Sequence, residues 1–69
     1  MTSDFSQRIK ELRLSLNLTK EQLAEEIGVS DSAVGHWERG TRRPSIDVVI
    51  ALASFFGVSL GYMAGVEDY

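Results

Sequence analysis

Between residues 20 and 39 two short helical patterns are separated by only Gly28, Val29 and Ser30, and that spacing constrains this chain more than any other feature. Thr19 opens a Thr-x-x-Gln capping box, in which its hydroxyl meets the amide of Gln22 and the Gln22 side chain reaches back, so a helix is predicted over Lys20–Ile27. Gly28 supplies the left-handed stop. Ser30 is a favourable N-cap for the next helix, and Asp31 at its first position suits the positive end of the helix dipole. That helix runs to Arg39 and Gly40. Leu23, Ile27, Val29, Val34 and Trp37 form the shared apolar seam of the pair, with Ala24 small where the second helix approaches closely and Gly28 free to take the positive φ of the turn.

The flanking segments are also helical. Phe5, Ile9, Leu12 and Leu16 recur at offsets of four, three and four, on one face of a helix that Ser3 or Asp4 can cap and Asn17 can end. Pro44 and Ser45 punctuate the chain before a strongly apolar helix over Ile46–Phe56 that stops at Gly57, the expected buried centre. Ser59 caps a last short helix through Ala64, and residues 65–69 form a tail. The expected fold class is all-α, with residues 1–69 as a single domain.

Sixty-nine residues allow one small core, since a chain of this size buries only about 60% of the surface its unfolded form exposes. With no cysteine, neither a disulfide nor a thiolate metal site is available, and packing must carry the fold. The longest apolar run, residues 48–53, is far short of the ~20 residues that span a bilayer, and no basic region precedes an apolar one at the N-terminus. A cytoplasmic location is the default expectation. The net charge of −3 weighs against a nucleic-acid partner, because Lys and Arg supply most of the affinity for phosphates. The charge is uneven, however: residues 39–43 read Arg-Gly-Thr-Arg-Arg, while Glu25, Glu26, Asp47, Glu67 and Asp68 place acid elsewhere.

A helical hairpin packed for stability alone would satisfy the seam. The opposite face of the second helix argues otherwise, because it presents Ser32, Gly35 and His36, small or polar groups that let a helix lie deep in a major groove about 12 Å wide. A helix serving only stability would carry Glu, Lys or Ala there.

The chain resembles the lambda-repressor-like helix-turn-helix family of phage repressors, Cro proteins and xenobiotic-response-element-type regulators. The likeness runs through Arg8-Ile9-Lys10-Glu11-Leu12-Arg13, Leu18-Thr19-Lys20-Glu21-Gln22-Leu23-Ala24, Ile27-Gly28-Val29-Ser30, Trp37-Glu38-Arg39-Gly40, Arg43-Pro44-Ser45 and Leu52-Ala53 on to Gly57-Val58-Ser59-Leu60. It implies a five-helix bundle whose helix from Asp31 enters the major groove while the preceding helix crosses the backbone. Carried over by position, Thr19, Lys20, Ser30, Arg39, Arg42 and Arg43 would meet the DNA backbone, and Asp31, Ser32, Gly35 and His36 would face base edges. Arg13 and Glu38 match a pair that bonds across helices in this family.

Two positions depart from the family pattern. Asp31 stands where many relatives carry Gln or Arg; phosphates repel it, and it reads first as a helix-dipole residue that could accept from cytosine N4. Gly35 costs about 1 kcal/mol against Ala in a helix interior, a cost that either close approach to DNA offsets or a weak helix tolerates. His36 is the only histidine, with no Cys or second His to share a metal and no motif to make it a catalytic base; the choice lies between a surface histidine and a DNA contact, and it is read as the contact, a donor to guanine or phosphate.

The expected function is a sequence-specific regulator that represses by occupying double-stranded DNA. The alternative is a protein-interaction module of the same fold, a toxin partner or polymerase-binding regulator, which the acidic net charge favours. An enzyme is not expected, for want of paired carboxylates on one face or a Gly-rich phosphate loop, and neither is a cofactor. A homodimer is expected through the C-terminal part, with Tyr62, Met63 and Tyr69 at its interface and Leu60 closing the monomer core.

Overall fold

Residues 4–65 are described in a computed structural model of the chain. They form five helices, α1 (Asp4–Ser15), α2 (Lys20–Ile27), α3 (Asp31–Arg39), α4 (Ile46–Phe56) and α5 (Leu60–Ala64), with no strand among the described residues. The all-α architecture is the one expected. α2 and α3 pack on each other, α1 lies against α3 and α5, and α4 against α5 and α2.

Capping chemistry sets the boundaries. Thr19 Oγ1 accepts from the Gln22 amide at 3.0 Å, and Gln22 Oε1 accepts from the Thr19 amide at 2.8 Å, completing the capping box. Gly28 takes φ 85°, so that its own N–H and that of Val29 both reach the Ala24 carbonyl, at 2.8 and 3.0 Å. α1 ends in the same way without glycine: Asn17 stands at φ 57° and lets the Leu18 N–H reach back to Arg13 O at 3.1 Å. Asparagine tolerates this region better than other side chains. Leu16, expected on the inward face of the first helix, falls beyond its last residue and is 51% exposed.

Every helix contributes to one core. Phe5 and Ile9 come from α1, Leu23 and Ala24 from α2, Val34 and Trp37 from α3, Leu52 and Ala53 from α4, and Met63 from α5. Met63 is fully buried, whereas Leu60 is 43% exposed. This reverses the expected roles: Leu60 does not close the core, and Met63 presents no surface to a second copy. A helix of five residues makes barely more than one turn, so the pattern of its apolar residues does not say which one faces inward. Tyr69 lies outside the described residues. Arg8 ties α5 to α1 by donating from Nη1 to the Tyr62 carbonyl at 2.8 Å and by lying 4.3 Å from the centroid of the Tyr62 ring.

The Arg13–Glu38 pair forms as the resemblance implied. Arg13 Nε donates to Glu38 Oε2 at 2.7 Å and Nη2 to Oε1 at 3.1 Å, a bidentate fork, while Nη1 donates to the Leu18 carbonyl at 2.8 Å. The two side chains are only 9% and 4% exposed. The Glu38 hydrogen bond holds the Arg13 pKa above its ordinary value against the desolvation that would lower it. A raised cation pKa contributes stability that is present below the unfolded value and lost only as pH rises through the folded one, so this arginine brings no pH dependence near neutrality.

Removing one member of a buried pair strands the other charge. Arg13→Met is expected to cost about 3–5 kcal/mol of stability, a large part of what a domain this small possesses. Urea unfolding of the single variant and of Arg13→Met/Glu38→Leu checks this, with much of the loss recovered in the double variant. An unchanged midpoint for Arg13→Met would show that the pair carries no weight.

Candidate nucleic-acid interface

α3 is divided along its length. Val34 and Trp37 are buried, at 0% and 4% exposure, and Glu38 is held by Arg13, so one side of the helix is fixed to the body. Asp31, Ser32 and Arg39 on the remaining surface are exposed, and His36 is half-buried. At the start of the helix Ser30 has the extended backbone of an N-cap, φ −68° and ψ 154°, but its hydroxyl makes no capping bond, unlike those of Thr19, Ser45 and Ser59. The exposed Ser30 hydroxyl is therefore unspent at the positive end of the helix dipole, a disposition suited to an anionic group.

The residues singled out from the sequence do not all fall where expected. Thr19 is exposed and Lys20 half-buried at the start of α2. The Thr19 hydroxyl accepts from the Gln22 amide and keeps its proton to donate to a phosphate. Arg39 and Arg42 are exposed, and Arg43, also exposed, lines a cleft with Phe5, Pro44, Ile46, Val49 and Leu60 on the α4–α5 side of the molecule. Gly35, expected to face base edges, is buried. A Cβ there would lie 3.0 Å from Arg39 Nη1, so the guanidinium of Arg39 lies over the glycine and occupies the space a side chain would need. Gly35 thus seats Arg39 and does not itself form an open surface.

Thr41, absent from the candidates read from the sequence, stands beside them. Its hydroxyl is 2.9 Å from His36 Nδ1, and Arg39 Nη2 is 3.5 Å from the same nitrogen. The cause is the end of α3: Gly40 at φ 75° folds the chain so that the Thr41 N–H reaches the His36 carbonyl at 3.0 Å, which brings residue 41 back over residue 36. Gly40 four residues after His36 was the signal in the sequence. Among the described residues no group of His, Cys, Asp and Glu could hold a metal ion, and no helix is long and apolar enough to cross a membrane.

Comparison with known proteins agrees with this geometry. The model of the helix-turn-helix family matches residues 9–63, and the chain belongs to that family. The relatives it matches include HTH-type transcriptional regulators and a phage repressor. The chain is 39% identical over 64 residues to an uncharacterised HTH-type transcriptional regulator of Bacillus subtilis, YobD, covering 93% of this chain and 57% of the relative. To the transcriptional repressor RstR of the cryptic phage CTXphi of Vibrio cholerae it is 38% identical over 56 residues, covering 81% of this chain and 50% of the repressor. The chain thus spans about half the length of these two relatives. Among solved structures, the P22 c2 repressor in complex with a synthetic operator superposes with a TM-score of 0.86 at 27% identity, covering 96% of this chain and 100% of that one. The restriction-modification controller protein C.AhdI of Aeromonas hydrophila superposes with a TM-score of 0.79 at 34% identity, covering 88% and 92%.

Gly35 generates a prediction of opposite sign for stability and binding. Gly35→Ala gains about 1 kcal/mol of helix propensity, and the group it meets is the far end of a flexible side chain that can swing aside. Thermal melts are expected to rise while affinity for DNA falls through displacement of Arg39. A variant that melts lower would mean that the guanidinium cannot yield.

Proposed function

We propose that the chain binds double-stranded DNA in a sequence-specific manner with α3 in the major groove, and represses transcription by occupying its operator, without a chemical step of its own. The observation that carries this is the division of α3. Its rear is fixed by Val34, Trp37 and the Arg13–Glu38 pair, while Asp31, Ser32, His36 and Arg39 are left toward solvent on a rigid support. In this reading Ser32 and His36 discriminate bases, with Asp31 beside them, and Thr19, Lys20, Ser30, Arg39, Arg42 and Arg43 meet the phosphates. Residues 1–69 act as one domain around the shared core, in the cytoplasm where their DNA lies. The net charge of −3 favours the second reading, a protein-interaction module using the same fold.

Selection from a random duplex library separates the two. An enriched inverted repeat supports DNA reading, and no enrichment at low salt supports the interaction module. On the enriched duplex, Arg42→Ala is expected to weaken all sequences alike and to flatten the salt dependence by about one unit. His36→Ala is expected to lose about 1–3 kcal/mol of discrimination while leaving non-specific binding intact. Equal losses on random DNA would make His36 a phosphate contact.

The active species is proposed to be a symmetric homodimer, since one helix with few cations contacts little DNA and two linked copies share a single association cost. The support is an apolar face that the monomer leaves open. Ile46 and Ile50, four residues apart on α4, are 62% and 50% exposed, and Leu60 beside them is 43% exposed. Ile46 and Leu60 line one cleft with Val49, Gly61 and Ala64. Tyr62 does not line this cleft, and its ring carries Arg8. Analytical ultracentrifugation is expected to show two copies per inverted repeat, and Ile50→Glu is expected to abolish the pairing while leaving the monomer folded. Independent occupation of the half-sites by wild type would refute the dimer.

A further inference from the structure

His36 presents one ring nitrogen to its own chain and leaves the other for a ligand. The two nitrogens of a neutral imidazole are not equivalent: one carries the proton and donates, the other accepts, and whatever engages the first decides what the second can recognise. In this chain the engaged nitrogen is Nδ1, 2.9 Å from Thr41 Oγ1 and 3.5 Å from Arg39 Nη2.

A guanidinium can only donate, so its approach to 3.5 Å favours a lone pair at Nδ1. The Thr41 hydroxyl carries one proton and has two acceptors in reach, Nδ1 and the His36 carbonyl at 3.2 Å. That carbonyl has a lone pair for the Thr41 N–H at 3.0 Å and another for the hydroxyl, but 3.2 Å is long for an O–H···O bond, which centres on about 2.7–2.8 Å. Both neighbours therefore favour the arrangement in which Thr41 donates to Nδ1 and the ring proton sits on Nε2.

We propose that Thr41 is a specificity-determining positioning residue, which with Arg39 holds His36 in its Nε2–H form so that the ring acts only as a donor toward an acceptor edge such as guanine N7 or O6. This rests on the assignment of α3 to the major groove. Gly35 belongs to the same device, because only a residue without Cβ leaves room for the Arg39 guanidinium beside the ring. With Nδ1 released, the ring would gain a population of the Nδ1–H form, in which Nε2 accepts, and this blurs the distinction between a guanine and a base that offers a donor at that place.

The ring can be tested without DNA. Long-range nitrogen–proton NMR spectra of the free protein, at a pH where the ring is neutral, are expected to show His36 as Nε2–H in wild type, a mixture of forms in Thr41→Val and the wild-type pattern in Thr41→Ser. A wild-type Nδ1–H ring, or a Thr41→Val spectrum identical to wild type, would overturn the proposal. On the enriched duplex and its single-base variants, Thr41→Val is expected to lose about fivefold in discrimination, the equivalent of one modest hydrogen bond, with non-specific binding unchanged and Thr41→Ser restoring it. Loss of discrimination in His36→Ala but not in Thr41→Val would also overturn it. If the spectra behave as expected and neither variant changes discrimination, the base-reading assignment of His36 falls and takes the role of Thr41 in specificity with it, while the contact that holds the ring stands.

Discussion

The fork between Arg13 and Glu38 is the constraint on which the placement of α3 depends. It joins the last turn of α1 to the last turn of α3, and the remaining guanidinium donor holds the Leu18 carbonyl in the turn before α2. The end of α1, the turn that follows it and the sequence-remote α3 are thus fixed by one side chain. A buried ion pair of this kind contributes little net stability compared with a well-packed apolar contact, because both charges must leave water. What it adds is direction. Apolar side chains tolerate sliding and rotation of a helix at small cost, whereas a bidentate fork is satisfied only at one separation and one orientation. An arginine is required for this, since a lysine could not close both bonds to the carboxylate and still reach the carbonyl.

A helix that must be read from outside needs its fixing points on the other side. α3 spends Val34 and Trp37 on the core, with Ala33 packed against it, and Glu38 on the fork, and it keeps Asp31, Ser32, His36 and Arg39 for the outer surface. The rest of the fold supports that economy. α1 and α2 supply Ile9 and Leu23 against α3, while α4 and α5 close the core from beyond with Leu52 and Met63, so that each helix carries at least one buried apolar side chain. In so small a core, α5 remains ordered by Met63 and by the grip of Arg8 on Tyr62, with few contacts to spare.

Much of this was legible in the residues. The capping box at Thr19, the glycines after α2, α3 and α4, and the spacing of Leu23, Val34 and Trp37 place α2, α3 and α4, because local chemistry and core packing there ask for the same structure. Where the sequence misled, the deciding interaction was not local to the pattern. Leu60 and Met63 are both apolar and three apart on a helix of five residues, and only the position of α1 and α4 decides that Met63 faces inward. Gly35 looks like an open surface until the flexible Arg39 folds over it. Thr41 reads as a loop residue until the left-handed Gly40 returns it to His36.

The acidic balance of the chain fits a particular division of labour at the proposed interface. A protein that neutralises many phosphates binds any duplex tightly, and its selectivity must be extracted from a large indiscriminate background. Here ten carboxylates outweigh seven cations over the whole chain, and the cations at the reading end are few: Lys20, Arg39, Arg42 and Arg43. Two of these are not fully free for phosphate as the molecule stands, since Arg39 lies over Gly35 against His36 and Arg43 lines the cleft by Ile46. With the electrostatic background kept low, the contacts of Ser32 and His36 weigh more heavily in the total, and an error in the orientation of either is felt as lost binding as well as lost selectivity. The rigid rear of α3 and the held ring of His36 are then required by the same circumstance: where few charges attract the DNA, the groups that read it must be in place before it arrives.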